Sequence, residues 1–417
     1  MRLQGRARLA LLTVSFVLFL YPVTLGTLSV NYSFLLLPLF RLVCDGRVKK
    51  PPPTAVIVMA LFTLVFIVAA LYQLDYVGDD VRRFVSFLIF MSVFSYMFLE
   101  VDRDMVAAFR AAVVIISLLL SVTAIFRFAV LGASSLGFEA KDLLGSQRFG
   151  FIYVLAIWLA YLDEHRGRLP AILRLAALVV LLAGVVLTFS RSSVVALVAS
   201  VGFFVMVRLA EWTQRPRLSQ LLKGLSATGA LAVMLATISL AFPVVVTFFD
   251  ERLYAVLTSG SVVAVRLADP VTSEGTRVLL AERIFEFVRN NPLTGSGYLG
   301  VWIALGDLSG SAHSQYTDVL FRTGLIGFAA YGYLLFRLLR YLPTGDRPLF
   351  WGMIGIMVYG LFHETFKESQ GAFVLTFLLG MLAQSLRQRS SALARADRTG
   401  RSTAPGRSSG ALRDVHR

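Results

Sequence analysis

Long apolar segments follow one another along this chain of 417 residues, and they limit the folds that it can adopt. A helix needs about 20 apolar residues to cross a bilayer, and the chain holds many segments near that length. It is 57% hydrophobic and only 16% charged, whereas a soluble domain is roughly half apolar and a quarter charged. The fold class predicted from this pattern is an all-α polytopic membrane protein.

The apolar pattern predicts about twelve membrane-spanning helices, of which the second and the sixth are short for a full span. They are 9–29, 32–45, 54–73, 84–100, 106–131, 149–162, 170–189, 193–208, 224–248, 315–336, 349–362 and 370–386. The sequence "KKPPP" (49–53) separates two of them, because a proline run cannot continue a helix. The first segment is too long for a cleavable signal and leads directly into the next, so no signal peptide is expected.

Lysine and arginine are distributed unevenly between the predicted loops, and this asymmetry sets the orientation. With the N-terminus in the cytoplasm, the inside loops hold the basic stretches 41–50, 208–223 and 337–347. The basic residues of the short outside loops are Arg82, Arg83, Lys141, Arg148, Arg191 and Lys367. The net charge of +15 is therefore mainly a topology signal, and it gives little support to nucleic-acid binding.

Four parts follow from this topology. Residues 1–248 hold the first nine spans, 249–314 form one long external loop, and 315–386 hold the last three spans. The loop carries five arginines and seven carboxylates, so it does not share the basic balance of the whole chain. Residues 387–417, rich in Arg, Ser, Ala and Gly, are expected to be a disordered cytoplasmic tail held near anionic lipid.

Basic and imidazole side chains gather on the external face in this topology. Arg191 lies at the turn "LTFSRSSVV" (187–195), and Arg277 begins the amphipathic segment "TRVLLAERIFEFVRN" (276–290). His313 begins the tenth span, and His363 lies between the last two. Singly, such residues are also typical of interfacial anchors, packing segments and helix caps. Together on one face, they indicate an anionic substrate and a proton transfer.

Other catalytic motifs fit less well. The sequence "HETFK" (363–367) has Lys367 where a zinc-protease helix needs a second histidine, and "GSG" (295–297) lacks the surrounding pattern of a dinucleotide site. A D-x-D sequence at 102–104 is short and faces the cytoplasm. The serines of 190–193 have no histidine nearby in the sequence to suggest a catalytic triad. One cysteine, Cys44, excludes an intramolecular disulfide or a thiolate metal cage from one chain.

The stretch "HSQYTDVLFRTGLIG" (313–327) resembles a signature of the O-antigen ligase and polymerase superfamily, H-N-x-Y-x-x-x-L-x-E-x-G-x-x-G. The matching residues are His313, Tyr316, Leu320, Gly324 and Gly327. Ser314 and Arg322 depart from it, since the signature has asparagine and glutamate there.

Three further elements carry the same resemblance, most closely to the O-antigen ligases. They are an S-R turn at Arg191, an arginine-led helix ending in P-x-x-G-x-G, and a looser arginine and glycine element in "QRFGF" (147–151). The matches run from about residue 145 to 385.

The resemblance implies a GT-C-like enzyme of the bacterial inner membrane with its active site facing the periplasm. The donor would be a glycan on undecaprenyl pyrophosphate, and the acceptor a sugar hydroxyl of lipid A–core. Lipid-linked repeat units, for a polymerase, or a protein are alternative acceptors. No cofactor and no metal are expected, because arginines can neutralise a pyrophosphate leaving group by forked hydrogen bonds.

The resemblance also assigns roles to residues. Arg191 and Arg277 would bind the pyrophosphate, and His313 would act as the general base. Gln315, Tyr316, Arg148, Arg322 and His363 would contact the substrates. A transporter is the alternative from another class, since about twelve spans is common among transporters. However, transporters often place their ionisable residues near the midplane, whereas here they lie at the outer edge.

Overall fold

The structure is a computed structural model, and its description covers a defined part of the chain. The described residues are 5–21, 24–25, 28–29, 60, 63–64, 67–68, 71, 101–131, 149–162, 171–188, 190–214, 273–297, 299–305, 311–366 and 369–402. The predicted spans 32–45, 84–100 and 224–248 therefore lie outside the described residues, as does most of 54–73.

Helices make up almost all of the described structure. They are α1 (Gly5–Leu20), α2 (Arg103–Leu131), α3 (Gly150–Leu162), α4 (Ala171–Leu187), α5 (Arg191–Gln214), α6 (Ser273–Asn290), α7 (Trp302–Leu305), α8 (Gln315–Gly345), α9 (Arg347–Tyr359) and α10 (Ser369–Ser402). One antiparallel pair of two-residue strands, β1 (Thr24–Leu25) and β2 (Leu28–Ser29), follows α1.

The helices confirm most of the predicted segments within the described part of the chain. The segments 106–131, 149–162, 170–189, 193–208, 315–336, 349–362 and 370–386 coincide with α2, α3, α4, α5, α8, α9 and α10. Three helical stretches, Arg103–Val130, Ser192–Glu211 and Gln315–Gly345, are long and apolar enough to cross a membrane. The described fold is that of a helical membrane protein, as predicted.

Two predicted boundaries are wrong. The first span was expected to reach residue 29, but α1 ends at Leu20, and Thr24–Leu25 and Leu28–Ser29 are strands. Pro22 and Gly26 follow α1 in the sequence, and both residues disfavour a helix interior. The tail was expected to be disordered from residue 387, but α10 continues to Ser402. Arginine and alanine are frequent in that stretch, and both are good helix formers.

Aromatic side chains hold the centre of the bundle. Helix α9 packs against α3 and α5, where Trp158, Phe204 and Trp351 have ring centroids between 5.1 and 5.8 Å apart. The buried Trp158 Nε1–H donates to Ser200 Oγ at 3.0 Å. This bond fixes α3 on α5, because a buried indole N–H without a partner is costly.

A second aromatic group joins α10 to the start of the chain. Phe109 of α2 stacks on Phe377 of α10 with centroids 4.1 Å apart, and Phe16 of α1 meets Phe377 edge-on at 5.9 Å. All three side chains are completely buried. This packing places α1, α2 and α10 side by side.

Ion pairs mark the end of the bundle where α1 and α2 begin. The D-x-D acids Asp102 and Asp104 both bind Arg8, the first at 2.6 Å. A third ion pair is more deeply buried and joins Arg110 of α2 to Asp346 between α8 and α9. Asp346 also caps α9 by accepting from the N–H of Leu349 at 3.2 Å. These acids are therefore engaged with arginines in the described structure.

Helix α8 is interrupted at Gly324, where the backbone has φ 60° and ψ −164°. The turn after α6 (residues 291–297) packs against this interruption. The N–H of Ser296 donates to the carbonyl of Phe321 at 2.7 Å, and the N–H of Leu325 donates to the carbonyl of Pro292 at 2.8 Å. Only glycine readily adopts these dihedral angles, so the interruption needs Gly324.

The turn requires a glycine on its own side as well. Gly295 has φ 59°, and a Cβ there would lie 2.1 Å from the carbonyl oxygen of Phe321. A Cβ on Gly324 would lie 2.4 Å from the carbonyl of Leu293. The two glycines of the sequence motifs thus allow two backbone segments to meet closely and hold α6 on α8.

Substitution of Gly324 by alanine is expected to lower the free energy of unfolding by at least about 1–3 kcal/mol. The backbone strain alone contributes that amount, and the clash with a rigid backbone adds to it. Thermal unfolding of the purified protein in detergent measures the change. The matched control is Gly332→Ala in the same helix, where a Cβ would meet nothing within 4 Å. Equal stability of the two variants would contradict this account.

Candidate functional site

The ends of five helices meet at the end of the bundle opposite the Arg110–Asp346 pair. A Cβ on Gly150, at the start of α3, would lie 1.8 Å from Ser193 Oγ and 2.8 Å from the ring of Tyr359. At the start of α8, the N–H of Gln315 donates to the carbonyl of Gly360 at 2.8 Å. The starts of α3, α5, α8 and α10 and the end of α9 therefore lie together, as the predicted alternation of the helices requires.

A row of buried hydroxyl groups lies at the start of α5 and in the residues just before it. The N–H of Ser190 donates to Thr188 Oγ1 at 3.2 Å, and the Oγ atoms of Ser190 and Ser192 lie 3.3 Å apart. Arg191 is the first residue of α5, between these serines. Its side chain is outside the described structure, as is the whole of Arg148.

The turn between α9 and α10 (residues 360–366, the α9–α10 turn) lies beside this row. The imidazole of His363 stacks on Tyr359 with ring centroids 4.6 Å apart and an interplanar angle of 17°. Its Nε2 lies 2.8 Å from Ser192 Oγ, within hydrogen-bond distance. The contact brings His363 to the residue next to Arg191, so these two predicted site residues are placed near each other.

His313 lies two residues before the start of α8 and is partly buried. Its φ of 54° is the one positive φ among the described non-glycine residues. This left-handed conformation is uncommon for side-chain-bearing residues, although histidine tolerates it better than most. Such outliers persist where the surroundings hold them, and they cluster at functional sites.

Two contacts hold the segment around His313 in place. The carboxylate of Glu364, in the α9–α10 turn, accepts the N–H of Ala312. The N–H of His313 itself donates to Ser311 Oγ at 3.1 Å. Glu364 is only 8% exposed, so its side chain is largely removed from water and needs hydrogen-bonding partners.

The three residues predicted to contact substrate along α8 all have protein partners. Gln315 Oε1 accepts the N–H of Phe366 at 2.6 Å, and the hydroxyl of Tyr316 donates to the carbonyl of Met357 at 2.8 Å. Arg322 Nε donates to the buried Asp318 at 2.8 Å. These bonds fix α8 against α9 and the turn, and contact of the three side chains with a substrate stays a prediction.

Arg277 lies on α6, which packs as an amphipathic helix as predicted. The buried face of α6 consists of Leu280, Ile284 and Val288, and it contacts Ala312 and Phe321 in one apolar cluster. Arg277 is partly buried, one turn before Leu280. The cluster thus ties the helix that carries Arg277 to the residue next to His313.

Sequence reasoning missed Glu364 and Ser192. The sequence "HETFK" was compared only with a metal-binding motif. The serines were not considered as part of a catalytic triad, because no histidine is near them in the sequence. The structure brings His363 to Ser192 across 171 positions, a contact that proximity in the sequence could not show. The adjacent His363 and Glu364, in a turn between two predicted spans, were the signal that could have indicated a polar site there. In the described residues, no three His, Cys, Asp or Glu side chains are grouped as metal ligands.

Comparison with known proteins identifies the central part of the chain. Residues 176–332 match the family model Wzy_C, described as O-antigen ligase. No curated protein matches the sequence. The matched segment contains Arg191, Arg277 and His313, and it ends before the α9–α10 turn. This match over residues 176–332 supports the predicted resemblance to the O-antigen ligase and polymerase superfamily.

Proposed function

We propose that this protein is an O-antigen ligase. It is an inverting, metal-independent glycosyltransferase that moves a glycan from undecaprenyl pyrophosphate to a sugar hydroxyl of lipid A–core. The superfamily match supports glycosyl transfer of the ligase or polymerase type. The observation that carries the proposal is the meeting of the His313 segment, His363 and the start of α5, with Arg191, at one end of the bundle.

The reaction breaks the bond between the anomeric carbon and the pyrophosphate oxygen, and negative charge grows on that oxygen. Arg191 and Arg277 are proposed to bind it through their forked guanidinium donors. One charge pair at about 4 Å stabilises by about 4 kcal/mol at an effective dielectric constant near 20. Two arginines at this distance would therefore lower the barrier by several kcal/mol without any metal ion.

The new bond forms between the acceptor hydroxyl oxygen and the anomeric carbon, on the side opposite the pyrophosphate. This direction of attack inverts the anomeric centre. His313 is proposed to accept the hydroxyl proton as a general base, because imidazole changes its charge near neutral pH. Its fixed, left-handed backbone supports this role by limiting where the imidazole can lie.

The lipid tails would remain in the bilayer while the sugars meet at this end of the bundle. Gln315, Tyr316 and Arg322 lie along the first turns of α8, and we place the acceptor on this side. Arg148 is proposed to complete the donor side, where His363 also lies. The catalytic end is proposed to face the periplasm from the inner membrane, as the distribution of basic residues predicts.

Labelling of single cysteines tests this orientation. In a Cys44→Ser background, an impermeant thiol reagent should label Gly310→Cys in intact spheroplasts and leave Gly400→Cys unlabelled. Both positions should react after permeabilisation, which serves as the control. Labelling of residue 400 without residue 310 in intact spheroplasts would reverse the proposed topology.

The choice of acceptor is tested with purified protein in two reactions. One contains the undecaprenyl-pyrophosphate-linked glycan alone, and the other contains the same donor with lipid A–core. A ligase gives no product in the first and glycan-bearing lipid A–core in the second, measured by gel mobility and mass spectrometry. Addition of a chelator should leave the yield unchanged.

The other outcomes distinguish the alternatives. Longer lipid-linked chains from the donor alone would identify a polymerase of the same superfamily. Transfer to a protein supplied in a third reaction would identify a protein O-oligosaccharyltransferase. No transfer in any reaction, together with solute uptake into proteoliposomes, would favour a transporter.

A further inference from the structure

We propose that the α9–α10 turn positions the two halves of the active site relative to each other. Its His363 holds the start of α5, which carries Arg191, and its Glu364 holds the segment that carries His313. The inference rests on the proposed function and deepens it, because it assigns two positioning residues to the same reaction. Neither residue lies in the segment matched by the family model, which ends at residue 332.

The turn is itself fixed to α8 at both of its ends. The carbonyl of Gly360 accepts the N–H of Gln315 at 2.8 Å, and the N–H of Phe366 donates to Gln315 Oε1 at 2.6 Å. Within the turn, the N–H of His363 donates to the carbonyl of Tyr359 at 3.1 Å, and the N–H of Thr365 donates to the carbonyl of His363 at 2.9 Å. The backbone around His363 and Glu364 is therefore bonded on both sides and well suited to orient their side chains.

The side chain of His363 contacts the start of α5. Its ring is held flat against Tyr359, and its Nε2 lies 2.8 Å from Ser192 Oγ. Ser192 directly follows Arg191, so this contact fixes the backbone from which the Arg191 side chain extends. Loss of the contact should loosen the hold of Arg191 on the donor pyrophosphate.

The side chain of Glu364 contacts the other half of the proposed site, the segment that carries His313. Its buried carboxylate accepts the N–H of Ala312, and the next residue is His313 with φ 54°. The bond thus helps to keep the chain in the left-handed conformation at His313, and its loss should displace the proposed base.

The two contacts predict different kinetic defects for substitutions at the adjacent residues His363 and Glu364. His363→Ala should raise KM for the lipid-linked donor by about 10-fold, because donor binding weakens. Glu364→Ala should lower kcat by about 10- to 100-fold with KM for the donor unchanged, because a misplacement of about 1 Å in a catalytic group costs up to about 100-fold. Adjacent residues that acted only by stabilising the turn would show the same defect.

Conservative substitutions distinguish a positioning role of these two side chains from a general contribution to the stability of the fold. Glu364→Gln keeps a side-chain oxygen acceptor for Ala312 and should recover most of kcat, whereas Glu364→Leu should not. His363→Gln keeps a hydrogen-bonding group near Ser192 and should recover most of the donor affinity. Ser192→Ala should reproduce the defect of His363→Ala, and the double variant should be no worse than either single variant, because both remove one contact.

The experiment measures donor KM, kcat and thermal stability for these variants in the ligase reaction. Leu361→Ala, an exposed residue of the same turn, is the control and should behave as wild type. The proposed function fails if the wild-type protein transfers no glycan, and the inference then falls with it. The inference alone fails if wild type is active while the variants match it. It also fails if His363→Ala and Glu364→Ala change the same parameter in parallel with a loss of stability, without rescue by glutamine.

Discussion

Replacement of His313 by alanine is expected to reduce the rate of glycan transfer by about 10²–10⁴-fold, the usual contribution of a positioned general base. Donor binding should survive, because the proposed donor contacts come from Arg191 and Arg277. The fold should survive as well, since the segment is held by the main-chain N–H of Ala312 and the contacts of the α9–α10 turn. Transfer to lipid A–core and retention of radiolabelled donor are the two measurements.

The control is His165→Ala, a histidine in the predicted cytoplasmic loop and away from the proposed site. Its transfer rate should equal that of wild type at matched protein levels, determined by immunoblot. Full activity of His313→Ala at a wild-type protein level would remove His313 from the mechanism. Loss of donor binding together with transfer would instead give it a binding role.

Replacement of Asp346 by alanine is expected to lower the free energy of unfolding by about 3–5 kcal/mol, the usual effect of breaking a buried ion pair. The side chain of Asp346 is 1% exposed and that of its partner Arg110 is 17% exposed. The substitution removes the carboxylate partner of a largely buried guanidinium. It also removes the α9 cap at Leu349, which contributes about 1 kcal/mol in comparable helices.

Two further variants make this prediction specific. Glu211→Ala removes an exposed ion pair, in which the side chain of Arg208 is 45% exposed and that of Glu211 is 56% exposed. This substitution should lower the free energy of unfolding by no more than about 1 kcal/mol. Asp346→Asn combined with Arg110→Leu keeps the cap and removes both charges, so it should recover most of the loss. Thermal and denaturant unfolding in detergent measure all three. A loss no larger for Asp346→Ala than for Glu211→Ala would show that the buried pair contributes little.

The sequence by itself determined the helical membrane fold and the approximate positions of the described helices. A helix that crosses a bilayer requires a long apolar segment, so the local composition shows where such helices lie. The amphipathic helix of the loop was equally readable, because Leu280, Ile284 and Val288 follow its period. The misplaced end of α1 and the helical start of the tail show that boundaries depend on more than apolarity.

The contacts of the residues proposed to position the site were decided by the tertiary structure alone. His363 meets Ser192 across 171 positions, and Glu364 meets Ala312 across 52. The roles of Gly295 and Gly324 likewise became clear only when the two segments were seen in contact. Hydrogen bonds between distant segments leave no periodicity in a sequence, because they depend on which helix ends pack together. The composition therefore predicts which helices form, and only their packing shows which polar groups they bring into contact.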